Sequence, residues 1–145
     1  MKKIAIFGST GSIGSSLLKI IKNDKKNFNI ELLTANKNYK KLIKQAKFFN
    51  VKNIVLTDYN SFLIATKLLK NTKVNVFKNF DSLNKIFNIN NKIDYSMCAI
   101  SGFQGLKSTI DIIKFTKHTF NNNYYIFNLS IRRFVHFPSK TKGKS

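Results

Sequence analysis

A chain of 145 residues with 43% hydrophobic content is long enough to bury one core as one domain. Its single cysteine, Cys98, excludes an internal disulfide framework, and no apolar run approaches the ~18 residues of a membrane span. The net charge of +20 invites a polyanion partner, but 24 of the 26 basic residues are lysines spread along the whole chain beside 19 asparagines and 18 isoleucines. That usage fits an A+T-rich coding sequence with solvated lysines, so neither nucleic acid nor membrane is an expected partner.

In chain order, Ile4–Phe7 reads as a buried strand that breaks at Gly8, with Gly11 and Gly14 following at three-residue steps. Ile13, Leu17, Ile20 and Ile21 then fall on one face of a helix. Asn29–Thr34 is the second strand, Ala35–Asn38 a polar loop, and Tyr39–Phe49 a helix with Leu42, Ile43, Ala46 and Phe49 on its apolar face. Asn53–Thr57 is the third strand, and Asn60 or Ser61 caps a helix facing inward through Phe62, Ala65 and Leu69. A short strand at Val74–Phe77 precedes a short helix through Leu83 and Phe87, capped by Asp81 or Ser82. Asp94–Ile100 is the fifth strand, residues 101–105 a second glycine-bearing loop, and Leu106–Lys117 a helix with Leu106, Ile110 and Ile113 inward. Strict alternation predicts an α/β fold, a Rossmann-like doubly wound parallel sheet with helices on both faces as a three-layer αβα sandwich.

Strand, glycine-rich turn and helix suit a nucleotide phosphate. Gly8 turns the chain off the strand, Gly11 lets backbone amides approach a pyrophosphate, and Gly14 lets the helix pack close. The open amides at the start of that helix face the anion. Ligands of such sheets sit beyond the carboxyl ends of the strands, here at loops 8–14, 35–38 and 101–105. A site selective for NAD usually ends the second strand in a carboxylate that accepts from the ribose 2′-hydroxyl. This chain has Lys37 there, between Asn36 and Asn38, which suits a 2′-phosphate and so NADPH. Cys98 reads as a core residue and Asp94 as a turn or cap residue. His118 and His136 have no acidic neighbours in sequence, and the six carboxylates are not spaced as a metal cluster. No catalytic and no metal-binding residues are therefore assigned.

Residues 8–14 (Gly-Ser-Thr-Gly-Ser-Ile-Gly), 35–38 (Ala-Asn-Lys-Asn) and 99–106 (Ala-Ile-Ser-Gly-Phe-Gln-Gly-Leu), with the distances between them, resemble the N-terminal domain of 1-deoxy-D-xylulose 5-phosphate reductoisomerase. The resemblance runs from residue 1 to about 117. It implies an NADPH-dependent rearrangement and reduction of 1-deoxy-D-xylulose 5-phosphate to 2-C-methyl-D-erythritol 4-phosphate, in the non-mevalonate route to isoprenoids, with Mg²⁺ or Mn²⁺ and usually as a homodimer. It implies that Thr10, Gly11, Ser12 and Ile13 contact the pyrophosphate side of NADPH and that Asn36, Lys37 and Asn38 hold the 2′-phosphate. It implies that Gly102 and Gly105 let the backbone approach the nicotinamide half. Asn36 stands where many members have glycine.

The family's continuation, a strand, then an Ala-Asn-Lys-Glu segment, then a catalytic domain with metal-binding carboxylates and a substrate phosphate site, is not matched after Lys117. Both arginines, Arg132 and Arg133, the only proline, Pro138, and both histidines lie beyond that point, and the last carboxylate is Asp111. The expected organisation is a 1–117 NADP-binding domain and a 118–145 atypical tail, the product of a frameshift or decayed gene, with a genuine lineage-specific basic tail for an acidic partner as the alternative. In the tail Tyr124–Phe127 could add a strand, and the end beyond Ser139 is too polar to pack. The reading is of a cofactor portion inactive alone; a stand-alone dinucleotide-binding module is the alternative. The apolar run after Met1–Lys3 is too short for a signal peptide and the loop begins too early for a transit peptide, so a bacterial cytoplasmic or plastid stromal location is expected.

Overall fold

The computed structural model describes residues 1–121. Six strands, β1 (Lys2–Phe7), β2 (Phe28–Ala35), β3 (Asn53–Leu56), β4 (Asn75–Phe77), β5 (Ile93–Cys98) and β6 (Thr116–Asn121), form one sheet in the order β4-β3-β2-β1-β5-β6. All five strand pairs are parallel. β1 lies between β2 and β5, so the chain winds one way from β1 to β4 and the other way through β5 and β6.

The five helices are α1 (Ser12–Asn23), α2 (Tyr39–Phe49), α3 (Tyr59–Leu69), the short α4 (Leu83–Ile86) and α5 (Gly102–Ile113). α1, α2 and α3 cover one face of the sheet and α4 and α5 the other. β1 is therefore buried on both sides, which is why Ile4–Phe7 is an unbroken apolar run. Ile4 and Ile6 join Leu17, Leu42 and Ala65 in one core cluster, while Ala5 and Phe7 join Leu83, Cys98 and Ile112 in the other. Cys98 is a core residue whose thiol burial pushes up to about 11.

The helix starts follow local chemistry. The Asn38 side chain caps α2 by accepting from the Lys41 amide at 3.1 Å. Asn50 ends α2 in the left-handed conformation, φ 56°. Asp58 caps α3, not Asn60 or Ser61: its carboxylate accepts from the Ser61 amide at 2.9 Å and from the Ser61 hydroxyl at 2.8 Å. Ser82 occupies the cap position of α4, but its hydroxyl donates to the Asn79 carbonyl at 2.6 Å instead of capping the helix.

Two helix faces differ from the sequence pattern. In α1 the buried positions are Gly14, Leu17, Leu18 and Ile21, while Ile20 is exposed. In α5 the difference is larger. The helix runs four residues earlier than expected, and Leu106, Ile110 and Ile113 are turned outward, with Ile110 61% exposed. Gly105, Ser108 and Ile112 face the sheet. The cause is contact distance: a Cβ built on Gly105 would lie 1.9 Å from the Ile100 carbonyl oxygen, so only glycine permits this approach.

β5 ends at Cys98, and the Ala99 amide makes one more bond to the Phe7 carbonyl at 2.9 Å before the chain turns. β6 crosses Lys117, where the sequence reading ended the domain, and pairs along β5 from Ile93↔Thr116 to Cys98↔Asn121. The expected strand at 124–127 and the expected unpacked end lie outside the described residues. Among the described residues no helix is long and apolar enough to cross a membrane.

Candidate functional site: a cleft at the carboxyl ends of the strands

The sheet reverses winding direction between β1 and β5, and a crevice opens there beyond the strand ends. The loops after β1, β2, β3 and β5 meet around a cavity of about 510 Å³ lined by Gly8, Thr10, Gly11, Thr34, Ala35, Asn36, Thr57, Phe80, Ala99, Ile100, Ser101, Gln104 and Lys107. Its volume is in the range of small-molecule and cofactor pockets.

Gly8 leaves β1 at φ +76°, and a Cβ there would meet Ile100 Cγ1 at 3.0 Å. Its amide donates to Thr34 Oγ1 at 3.0 Å, and the Ser9 amide donates to the Thr34 carbonyl at 2.9 Å. The loop is thus pinned to the end of β2. Gly14 serves helix packing as expected, since a Cβ there would lie 2.4 Å from the Gly8 carbonyl oxygen. Gly11 has an ordinary φ of −72°, and a Cβ would meet only the Gly8 carbonyl oxygen, at 3.4 Å. The fold itself therefore leaves room for a Cβ at Gly11.

α1 opens at Gly11 with no side-chain cap and no acidic residue in its first turn. Ser12 and Ile13 begin the helix, so its positive end lies at the loop with nothing on α1 to neutralise it. This end can receive an anion with backbone N–H groups alone.

The expected site residues divide. Gly8, Thr10, Gly11 and Asn36 line the cavity. Lys37 and Asn38 lie just outside the lining, between the cavity and α2. The Lys37 carbonyl accepts from the Tyr39 amide at 2.8 Å and from Ser61 Oγ at 3.0 Å, and its charge acts on the Asp58 carboxylate. Asn38 spends its side-chain oxygen on the α2 cap, so only its NH₂ remains for a phosphate. Asn36 donates to Thr57 Oγ1 at 3.1 Å. Gly102 starts α5 at φ +74° with open space where a Cβ would stand, but Ser101 and Gln104 line the cavity in its place. Gly105 serves helix packing.

Other contributors were not singled out from the sequence. Thr57 directly follows β3, so the rule that ligands gather at strand ends could have found it. Phe80 arrives from the far side of the sheet and packs edge-on against Phe7, ring centroids 5.5 Å apart, with no local motif to announce it. Lys107 lines the cavity one turn after Gln104, and its pairing with Asp111 at 3.0 Å raises its pKa. Asp58 stands near Lys37. Its carboxyl is held below the usual range by the Ser61 amide, then the Ser61 hydroxyl, with a smaller contribution from the Lys37 charge.

The family model described as 1-deoxy-D-xylulose 5-phosphate reductoisomerase matches residues 4–123. This chain belongs to that family. The reductoisomerase of Pelagibacter ubique (strain HTCC1062) is 86% identical over 117 residues, which are 81% of this chain and 30% of the relative. That of Proteus mirabilis (strain HI4320) is 39% identical over 116 residues, 79% of this chain and 29% of the relative. Among solved structures, the Zymomonas mobilis reductoisomerase in complex with NADPH superposes with a TM-score of 0.68 at 32% identity, over 77% of this chain and 29% of that one. A reductoisomerase in complex with NADPH, fosmidomycin and magnesium gives 0.68 at 26% identity, over 77% of this chain and 27% of that one. The chain therefore spans less than a third of the length of these reductoisomerases. Among the described residues no three His, Cys, Asp or Glu side chains stand together as a metal site.

Proposed function

We propose that this chain supplies the NADPH-binding part of a 1-deoxy-D-xylulose 5-phosphate reductoisomerase, with the cofactor lying across the cleft between β1 and β5. The observation that carries the reading is the convergence of the glycine loop, the uncapped start of α1 and the 35–38 loop on one cavity at the switch point of the sheet. The pyrophosphate sits against Thr10, Gly11, Ser12 and Ile13. The 2′-phosphate sits against Asn36, the Lys37 ammonium and the Asn38 amide. The nicotinamide half extends toward Ser101 and Gly102, along the apolar wall of Ala99 and Ile100.

Bound NADPH supplies a hydride. This chain's own residues bind the phosphates, fix the cofactor's orientation and line the cleft. In this reading the NADP-binding domain includes residues 1–117 and its sheet through Asn121. The metal-dependent chemistry on 1-deoxy-D-xylulose 5-phosphate, with its product 2-C-methyl-D-erythritol 4-phosphate, belongs to the length of the family that this chain does not span. The bacterial relatives support a bacterial setting over a plastid one.

Titration with NADPH and NADH, read from nicotinamide fluorescence, tests the reading. Tighter binding of NADPH is expected, and equal affinities would remove the 2′-phosphate assignment. Purified chain given substrate, NADPH and Mg²⁺ is expected to oxidise no cofactor. Turnover that required all three would move the catalytic part into this chain.

A further inference from the structure

We propose that Lys41 is a positioning residue of the cofactor site, which with Gln45 holds two consecutive loop carbonyls back from the phosphates. The inference rests on the NADPH reading above and adds what sets the loop's geometry. Lys41 lies in the first turn of α2. Its own amide closes the 35–38 loop by donating to Asn38 Oδ1, and its ammonium reaches the other loop, donating to the Thr10 carbonyl at 2.8 Å and to Ser15 Oγ at 2.7 Å. Gln45, one turn further along the same face, donates to the Ser9 carbonyl at 3.0 Å and accepts from Ser9 Oγ at 2.8 Å. One face of α2 thus holds the oxygens of Ser9 and Thr10.

This matters because a peptide carbonyl aimed at a phosphate repels it, while an amide attracts it. Neither Lys41 nor Gln45 lines the cavity; with Ser15 they line a separate hollow, and in this proposal the carbonyls they hold are drawn toward it, behind the loop. The loop then presents N–H groups forward. A pyrophosphate is common to both dinucleotides, so the tether serves NADPH and NADH alike. Lys37, at the 2′-phosphate, serves only one of them. The same arrangement joins the two phosphate loops through a single side chain at the start of α2.

The test compares Lys41→Met, Lys41→Arg and Lys37→Ala in the full chain, with the fold checked by circular dichroism. Lys41→Met is expected to weaken NADPH and NADH by the same factor, about tenfold each, leaving their ratio unchanged. Lys41→Arg, which can reach the same two acceptors, is expected to restore both. Lys37→Ala is expected to change the ratio. In the cofactor-free chain, amide exchange at residues 10–14 should quicken in Lys41→Met, while strand amides keep the parent's protection. Parent-like binding, or unchanged exchange at 10–14, overturns the tether. Loss of NADPH affinity alone overturns it too, and makes Lys41 a direct 2′-phosphate ligand. If the parent binds neither cofactor, the NADPH reading fails, and the exchange measurement still decides whether Lys41 orders the loop.

Discussion

Asp94 Oδ2 on β5 accepts a hydrogen bond from the backbone amide of Lys3 on β1, at 2.9 Å. The other carboxylate oxygen takes the Lys117 ammonium of β6, also at 2.9 Å, so one side chain joins three strands. The Lys3 bond is the larger cause, and the Lys117 bond the second, of a carboxyl pKa held below its ordinary value of 3.8. A depressed folded pKa means that the ionised form stabilises the fold. The contribution is complete above 3.8 and is lost as pH falls through the folded value. Asp94→Ala is expected to cost about 1.5–3 kcal/mol at neutral pH, chiefly from the amide bond, since the exposed Lys117 pairing adds little. Urea unfolding at pH 7 and at pH 3 checks this: the gap between parent and variant should narrow in acid.

Lys37→Ala is expected to weaken NADPH binding roughly 10- to 100-fold and to leave NADH nearly unchanged, the loss of one charge-assisted contact of about 1.5–3 kcal/mol. Calorimetric titration of both cofactors measures it. A parallel loss of both would place the lysine on the common part of the dinucleotide.

Two glycines of one loop should respond to alanine for different reasons. At Gly14 the added carbon collides with the backbone of Gly8 and Ser9, so α1 must shift and the fold loses about 1–3 kcal/mol or more. At Gly11 the fold has room, so Gly11→Ala should keep its melting temperature close to the parent's. Gly11→Val goes further and should remove cofactor binding, because the branch enters the space assigned to the pyrophosphate. Thermal melts beside cofactor titrations separate the two effects. A Gly11→Val chain that binds like the parent would leave the loop as a turn and nothing more.

The orientation of α5 makes a third contrast. Ile110→Ser, on the exposed face, should change stability by no more than about 0.5 kcal/mol. Ile112→Ala, in the core beneath, should cost about 2–5 kcal/mol. Equal costs would mean that the helix is turned as its apolar spacing alone suggests.

That contrast marks where the sequence could be read and where it could not. The glycine loop, the alternation of strand and helix, and the apolar face of α2 are local signals, and the structure follows them. α5 carried two apolar stripes. Leu106, Ile110 and Ile113 make the better periodic match, yet Gly105 and Ser108 face the sheet. Periodicity scores the apolar gain of each face but not the closeness of approach that a missing Cβ permits. The site divides in the same way. Gly8, Thr10, Gly11 and Asn36 stood in recognisable motifs, whereas Phe80 and Lys107 line the cavity, and Lys41 meets the Thr10 carbonyl, only because the fold brings distant elements together. The length of a lysine side chain says nothing about which carbonyl it will find.

The place of β1 in the sheet has a consequence for synthesis. It is made before both of the strands that flank it, and β2 soon covers one of its edges. The other edge waits for β5, which follows three further strands and four helices. An open edge of Ile-Ala-Ile-Phe is the kind of surface that recruits other chains. Domains generally begin to fold from the amino end as they are made. In this topology that order leaves one edge of β1 open until Ile93–Cys98 has been made.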